Sequence, residues 1–318
     1  MPVIDLVTGF LGSGKTTFIR KYAQYLMDEG MRIGILENDY GAVNVDMTLL
    51  SDLRGEKCEI EMISGGCDYD CHKRRFKSKL ISMGMSGYDR IIVEPSGIFD
   101  TDEFFDILHE DPIDSWYRIG SVITIVDAGI PEQMSEEAEY FFMAQAANAG
   151  KIVLSHVDTN PGKEAVIADH LNRAMERFKC RRRFKAENLF SKNIDEYTKE
   201  DFARLTRVEY VGADHVKITS VDENGFDSFF YMNVVMKEEE LTEKAHKLLH
   251  DTSAGKVLRI KGYLNTPDGK WFELNITREA EEIREVKTGQ SILIVIGEKL
   301  DKERVYSYFE GGTGERQH

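Results

Sequence analysis

Residues 9–17, Gly-Phe-Leu-Gly-Ser-Gly-Lys-Thr-Thr, constrain this chain more than any other segment because they fit the pattern G-x-x-x-x-G-K-[ST]. An apolar, strand-like run at 3–7 precedes them, and Phe18, Tyr22 and Leu26 follow at helical spacing. A strand, a glycine-rich loop and a helix in this order predict a phosphate-binding loop for a nucleoside triphosphate. The alternative is a chance match in which the glycines serve only a turn.

The residues of this loop have distinct expected roles. The glycines let main-chain N–H groups close around phosphate oxygens, and the N-terminus of the helix adds the positive end of its dipole. Lys15 is expected to reach the β- and γ-phosphates, and the Thr16 hydroxyl is expected to ligate Mg²⁺. The residues predicted to hold the nucleotide are Gly9, Gly12, Ser13, Gly14, Lys15, Thr16 and Thr17.

A second segment, 90–97, is an apolar strand-like run that ends in the acid Glu94 and then Pro-Ser-Gly. Ligands of open α/β sheets bind at the carboxyl ends of the strands. We therefore expect Glu94 to help organise Mg²⁺ or the attacking water. Gly97 is expected to be a switch residue that approaches the γ-phosphate. The alternative is an acidic strand end followed by a turn.

A third strand-like run leads into Ser155, His156 and Asp158, which we predict to hold the base. The segment is similar to the N-K-x-D motif with which GTPases recognise guanine, with serine and histidine in place of asparagine and lysine. An aspartate there accepts hydrogen bonds from guanine N1–H and the 2-amino group, and adenine lacks both donors. The alternative is a strand followed by a helix that begins at Asp158 and Thr159.

Residues 64–72, Ser-Gly-Gly-Cys-Asp-Tyr-Asp-Cys-His, form a cysteine loop after another strand-like run. If 67–71 take a helical turn, the thiols of Cys67 and Cys71 lie on one face and can share one metal ion. Thiolate and imidazole ligands favour Zn²⁺ and also suit cobalt or iron. Further ligands would come from His72, Asp68 or Asp70. The alternative is a pair of thiols that bind no metal.

The order of the predicted elements divides the chain into two domains. Strand-like and helical segments alternate through 1–210, which predicts an α/β domain with a mainly parallel sheet flanked by helices. Residues 211–310 carry strands at 215–221, 229–236, 256–264, 271–276, 282–286 and 291–296 and helices at 237–250 and 301–309, which predicts a small α+β domain with an antiparallel sheet. A turn cluster at 265–269 predicts a hairpin, and 311–318 are expected to be a flexible tail.

Composition limits the partners and the compartment. The 318 residues include 41 basic and 56 acidic side chains, so the net charge is −15. A surface of this charge repels nucleic acid and anionic membranes, so we expect neither as a partner. Apolar runs are far shorter than a membrane-spanning helix, and the residues before the first strand lead us to expect no secretory signal. With only four cysteines, we expect a cytoplasmic protein with reduced thiols.

Several segments together resemble the CobW-like family of P-loop GTPases, which are related to the nickel-insertion GTPases for urease and hydrogenase. The resemblance covers most of the chain, including the small C-terminal domain at 259–264 and 296–301. Its other motifs are the phosphate loop at 7–17, the segment 35–41 followed by Asp46, the E-x-x-G sequence at 94–97, the Val-Asp-Ala sequence within 122–128, and Gln145 with the alanines after it.

The resemblance implies a GTPase that delivers or inserts a metal ion of the zinc, cobalt or iron class into a client metalloprotein or cofactor enzyme. GTP and Mg²⁺ are the implied nucleotide and cofactor, with Zn²⁺ or Co²⁺ as cargo. Mg²⁺ and the γ-phosphate would hold 38–41 and 94–97 in one arrangement, and hydrolysis would release them. The cysteine loop lies between these segments, so its metal affinity would depend on the nucleotide state. The sequence leaves self-association open.

The family also implies roles for individual residues. Glu37, Asp39 and Asp46 are expected near the nucleotide or the metal. The residues expected to act in hydrolysis are Lys15, Asp39 and Glu94. The residues expected to bind metal are Thr16 for Mg²⁺, and Cys67, Cys71, His72 and Glu37 for the cargo.

The cysteine loop departs from the family pattern, G-C-x-C-C. Gly66 and Cys67 match it, Tyr69 and Asp70 stand in place of the other two cysteines, and Cys71 comes one position late. Two alternatives therefore stay open: a GTP-switched accessory protein for a corrinoid enzyme without its own metal site, and a P-loop small-molecule kinase or ATPase that uses the arginines at 181–183 as a lid.

Overall fold

A computed structural model describes residues 1–39, 50–64, 69–97, 101–216, 227–278, 280–286 and 291–309. The chain divides into two compact units, Met1–Ile218 and Thr219–His318, and each is described by itself. The expected tail, 311–318, lies outside the described residues. No helix within the described residues is both long and apolar enough to span a membrane.

The first unit is built on a parallel sheet of seven strands within the described ranges. Their order is β3-β2-β4-β1-β5-β6-β7, and every pair runs parallel, as the sequence predicts. The strands are β1 (Val3–Thr8), β2 (Ile33–Asp39), β3 (Cys58–Ser64), β4 (Arg90–Pro95), β5 (Arg118–Asp127), β6 (Lys151–Ser155) and β7 (Phe190–Ser191). The helices are α1 (Lys15–Asp28), α2 (Tyr69–Gly84), α3 (Thr101–Leu108), α4 (Ile113–Trp116), α5 (Glu136–Ala147), α6 (Glu164–Arg177) and α7 (Lys199–Leu205).

Both faces of this sheet are covered, because successive strand residues point to opposite sides. On one face, Ile33 and Ile35 pack against apolar residues of α1 such as Phe18 and Ile19. On the other face, Leu36 packs with apolar residues of α2 and α3, including Phe76 and Phe104. Two buried faces explain why the strands are almost continuously apolar.

The central position of β1 determines where the polar loops meet. β1 pairs with β4 on one side and with β5 on the other. Parallel strands end at the same edge of a sheet, so the loops after β1, β4 and β5 are neighbours there although they are far apart in sequence.

A buried polar network links the amino ends of these strands. The Tyr22 hydroxyl donates to Asp5 Oδ2 at 2.8 Å, and Arg90 Nη1 donates to Tyr22 at 2.8 Å and lies 3.1 Å from Asp5 Oδ2. Asp5 Oδ1 accepts from the Ser121 main-chain N–H at 2.8 Å. Burial raises the pKa of Asp5, and the Arg90 guanidinium opposes that change. The network satisfies its polar groups and joins α1 to three strands.

The second unit is an antiparallel sheet with the strand order β11-β10-β9-β12-β8. Its strands are β8 (Asp227–Met232), β9 (Lys256–Asn265), β10 (Trp271–Ile276), β11 (Glu281–Val286) and β12 (Ile292–Glu298), and its helices are α8 (Glu238–His250) and α9 (Lys302–Phe309). One face packs against both helices through Ile260, Leu293, Leu248 and Phe309. The predicted hairpin across 265–269 is confirmed, since β9 and β10 pair directly.

Two strand predictions in this half need correction. The strand expected at 229–236 ends at Met232, because Asn233 takes a left-handed conformation (φ 57°) that cannot continue a strand. The strand expected at 215–221 is wrong at its first two residues, which are not in a strand, and the rest of it lies outside the described residues.

Asp251 at the end of α8 is expected to make the second unit sensitive to acid. Its carboxylate accepts hydrogen bonds from Ser253, Tyr308 and Arg304, which hold its pKa well below the usual range. Such a group contributes stability that is present above its unfolded pKa of about 3.9 and is lost as the pH falls through the folded value. Asp251→Asn should therefore speed hydrogen exchange of α9 at pH 7. The difference in exchange rate between the variant and wild type should shrink below about pH 4.

The control for this prediction is Glu243→Gln, which removes an exposed ion pair with Lys247 on the surface of the same helix. Exposed pairs of this kind contribute little to stability. Exchange of α9 should therefore stay close to wild type at both pH values. Equal effects of the two substitutions would show that Asp251 does not anchor α9.

Candidate functional site

The loop after β1 has the backbone of a phosphate-binding loop. Gly9, Gly12 and Gly14 have φ values of 151°, 81° and 85°, a region that favours glycine, and α1 begins directly afterwards at Lys15. A Cβ on Gly9 would overlap the carbonyl oxygen of Ile125 in β5 and the Ser13 hydroxyl. The loop thus passes so close to β5 that only glycine fits there.

Polar side chains of this loop converge on its interior. The Lys15 ammonium is buried and donates to the Gly9 carbonyl at 2.8 Å. The Ser13 hydroxyl is also buried and has no hydrogen-bond partner within the described residues. Buried polar atoms are usually paired, so this hydroxyl is consistent with a loop that hydrogen-bonds phosphate oxygens. Thr17 is exposed on the first turn of α1.

Two buried carboxylates stand beside the start of α1. The Thr16 hydroxyl donates to Glu94 Oε1 at 2.9 Å, which joins the end of β4 to the phosphate loop. Glu37 lies directly opposite Glu94 in the β2–β4 register, so both are on the sheet face that α1 covers. Hard oxygen donors in this arrangement suit a divalent cation such as Mg²⁺. Asp39 is the last residue of β2, and its side chain lies outside the described set.

The end of the 94–97 segment rests on the phosphate loop. A Cβ on Gly97 would come within 3.0 Å of the main-chain N and Cα of Leu11, so glycine permits the contact. The Gly97 carbonyl accepts a hydrogen bond from Gln145 Nε2 at 2.8 Å. The role of Gln145 was not predicted from sequence. The available signal was that it is the one polar residue in the otherwise apolar stretch 141–147 of α5.

The segment predicted to recognise the base lies beside the same loop. Ser155 ends β6, and its Cβ would be 3.6 Å from a Cβ built on Gly14. His156 has a left-handed backbone (φ 50°), and its Nδ1 lies 3.0 Å from Asp127 Oδ2 at the end of β5. Sequence reasoning missed this pair, because it depends on two neighbouring strands rather than on local spacing.

Asp158 is exposed in a turn that follows β6. The alternative interpretation of this segment, a helix that begins at Asp158 and Thr159, is wrong, because α6 begins at Glu164. The main-chain N–H of Asn160 instead donates back to the His156 carbonyl at 3.0 Å, which closes the turn. The Asp158 side chain is exposed in this turn.

The cysteine loop falls largely outside the described residues. Cys67 and Asp68 lie outside them, and Cys71 and His72 are described only as backbone of α2. Within the described residues no group of three or more His, Cys, Asp or Glu side chains is placed to hold a metal ion. Burial raises the pKa of the Cys58 thiol to about 11, which disfavours the thiolate that metals bind.

Residues 3–185, more than half of the chain, match the family described as CobW/HypB/UreG, nucleotide-binding domain. The zinc chaperone YjiA of Escherichia coli is 28% identical over 166 residues, which cover 49% of this chain and 49% of that protein. The zinc chaperone CobW of Pseudomonas aeruginosa is 25% identical over an alignment of 353 residues, which covers 95% of this chain and 89% of that protein. The sequence match to YjiA thus spans about half the length of that protein.

Among solved structures, the Zn(II)-bound YjiA GTPase from E. coli aligns over 99% of each chain, with 18% sequence identity and a TM-score of 0.34. Hydrogenase maturation factor HypB from Archaeoglobus fulgidus aligns with 64% of this chain and 89% of its own, with 16% identity and a TM-score of 0.38.

Gly9→Ala is expected to weaken binding of Mg-GTP by about tenfold or more, because the new Cβ forces the phosphate loop away from β5 and strains its backbone. Affinity for a fluorescent GTP analogue measures the effect. Gly55→Ala is the matched control, since a Cβ there meets no heavy atom of the described residues within 4 Å. Wild-type affinity in Gly9→Ala would contradict the assignment of this loop.

Proposed function

Since the chain belongs to the CobW/HypB/UreG family of nucleotide-binding proteins, we propose that it is a GTPase whose nucleotide state controls the handling of a metal ion. The observation that carries this proposal is that the first and the last residue of the 94–97 segment both contact the phosphate loop. Glu94 accepts from Thr16, and Gly97 packs against Leu11. A loop held in this way is placed to respond to the γ-phosphate.

The donor set suits Mg²⁺ and a triphosphate. Thr16, with Glu94 behind it, would hold the cation, and the cation supplies positive charge that neutralises the phosphate oxygens. The Lys15 ammonium would exchange its bond to the Gly9 carbonyl for the β- and γ-phosphates. The Ser13 hydroxyl and the N-terminus of α1 would donate to the remaining phosphate oxygens.

Hydrolysis requires a water molecule in line with the γ-phosphate. Glu94 is buried and lies at the end of a strand beside the loop, so its carboxylate would orient that water and accept its proton. Glu37 lies on the neighbouring strand and shares the same sheet face. Asp39, the last residue of β2, would add a third carboxylate to Glu37 and Glu94. Lys15 would stabilise charge on the leaving phosphate.

Guanine recognition would fall to the segment after β6. The pairing of His156 with Asp127 holds the histidine ring at the edge of the site, where its face can stack on a base. The exposed Asp158 carboxylate would accept from the two donors that guanine has and adenine lacks. An ATPase or kinase remains the competing interpretation. Its arginine lid is disfavoured, since Arg182 donates to the carbonyl of Ala149 just before β6, at the amino ends of the strands.

Zinc is the cargo that the relatives favour, because YjiA, YeiR and CobW are all named zinc chaperones. Cys67 and Cys71 would bind it as thiolates, with His72 and Glu37 as further ligands. A client metalloprotein would then receive the ion. The altered motif, with Tyr69 and Asp70 in place of two cysteines, favours one second candidate: a GTP-switched accessory protein that binds its client without a metal site.

Asp158→Asn is expected to shift the base preference in a defined way. The asparagine amide can accept from N1–H and donate to the 2-carbonyl of xanthine, but it has only one acceptor oxygen and cannot accept from both guanine donors. Wild type should prefer GTP over ATP by about 100-fold or more, and the variant should lose GTP affinity and gain XTP affinity. Competition against a fluorescent nucleotide measures all three affinities.

Asp169→Asn, an equivalent substitution on the exposed side of α6, is the control and should behave like wild type. Equal affinity of the wild-type protein for ATP and GTP would remove guanine recognition from the proposal and favour the ATPase or kinase.

Metal binding can be tested on metal-free protein without measuring hydrolysis. Titration with Co²⁺ under anaerobic conditions should give thiolate-to-cobalt absorption that changes when Mg-GTP is added. Cys67→Ser and Cys71→Ser should each abolish this absorption. Cys180→Ala, which removes a buried cysteine elsewhere, should retain it. No thiolate absorption in wild type would favour the accessory protein without a metal site.

A further inference from the structure

Gln145 in α5 joins two parts of the nucleotide site. Its side-chain Nε2 donates to the Gly97 carbonyl at 2.8 Å. Its main-chain carbonyl accepts from the hydroxyls of Thr8 at 3.1 Å and Thr124 at 2.7 Å. Thr8 is the last residue of β1, directly before the phosphate loop, and Thr124 lies in β5. One residue therefore contacts both the base of the phosphate loop and the end of the 94–97 segment.

This arrangement is almost completely shielded from solvent. Gln145 and Thr8 are both 0% exposed, and Thr124 is 1% exposed. The two threonine hydroxyls also lie 2.8 Å from each other. Hydrogen bonds in such surroundings are not weakened by competing water, so they define distances closely.

The side-chain amide has one feature that stability alone does not explain. Its Oε1 is buried and has no hydrogen-bond partner within the described residues. Burying an unsatisfied polar atom costs free energy, and an apolar residue of the same shape would avoid that cost. The amide is therefore retained for its donor, and only the NH₂ group can bond to the Gly97 carbonyl, since a carboxylate has no hydrogen to donate.

The donor determines how the 94–97 segment lies on the phosphate loop. Glu94 anchors the beginning of the segment through Thr16, and Gln145 anchors its end through Gly97. Between these anchors, Gly97 packs directly on the main chain of Leu11. A displacement of about 1 Å at such a distance from the chemistry can lower a rate roughly 100-fold.

We propose that Gln145 is a positioning residue for hydrolysis: its amide holds Gly97 against the phosphate loop and so aligns Glu94 with the attacking water. This inference rests on the proposed GTPase function. Gln145 does not contact the nucleotide in this scheme, so its removal should affect the chemical step much more than nucleotide affinity.

The test uses two substitutions in the full-length protein. Gln145→Met and Gln145→Leu each remove the donor and place an apolar side chain of similar size at the same buried position. Asn172→Asp is the matched control. The Asn172 amide donates to the Phe184 carbonyl at 2.8 Å in the same unit, but not beside the phosphate loop. Its variant should keep wild-type kcat.

Three quantities are measured for each protein: kcat for GTP, the Kd for GDP, and hydrogen exchange of the peptide that contains 90–97. We expect kcat to fall about 10- to 100-fold in both Gln145 variants while the Kd for GDP changes less than about threefold. Exchange in that peptide should become faster. A parallel loss of GDP affinity and kcat would mean that Gln145 serves only the fold, and wild-type kcat in Gln145→Met would overturn the proposal outright.

The wild-type protein separates this inference from the function on which it rests. If wild type binds GTP but does not hydrolyse it, the GTPase proposal fails, and the catalytic role of Gln145 fails with it. If wild type hydrolyses GTP and the Gln145 variants do so equally well, only the inference fails. Unchanged exchange of the 90–97 peptide in Gln145→Met would overturn the anchor itself.

Discussion

The nucleotide site depends on one topological constraint, the position of β1 between β4 and β5 in a parallel sheet. All carboxyl ends of a parallel sheet lie at one edge, so the loops after these three strands are forced together. Gly9 lies so close to the Ile125 carbonyl that no side chain fits there. Glu94 contacts Thr16, Gly97 contacts Leu11 and Asp127 contacts His156 because all of these residues lie at the same edge of the sheet.

Buried polar groups lie near both edges of this sheet. At the amino ends, Asp5, Tyr22 and Arg90 satisfy one another, and the result is a fixed junction of helix and strands. At the carboxyl ends, the Ser13 hydroxyl and the side-chain Oε1 of Gln145 are buried and have no hydrogen-bond partner within the described residues. The Ser13 hydroxyl lies inside the phosphate loop, where it can donate to a phosphate oxygen.

Local features of the sequence predicted much of the first unit and one hairpin of the second. The phosphate loop, the apolar strands and the hairpin of the second unit could all be predicted, because each depends on residues that are close in sequence. The alternative interpretation of 155–158, a helix that begins at Asp158, is wrong because a helix-capping residue also suits a turn, and here the turn forms. The strand expected to continue beyond Met232 ended at the left-handed Asn233, a conformation that hydrophobic patterning does not report.

The sequence by itself determined the chemistry of the phosphate loop, since glycine spacing, Lys15 and Thr16 define a phosphate site wherever a strand and a helix enclose them. It also determined the fold class, through apolar strands that alternate with helices. Only the tertiary structure decided that Glu37 faces Glu94, that His156 pairs with Asp127 and that Gln145 reaches Gly97. Each of these contacts depends on strand order and helix packing, which arise from long-range burial of apolar surface and leave no mark in local spacing.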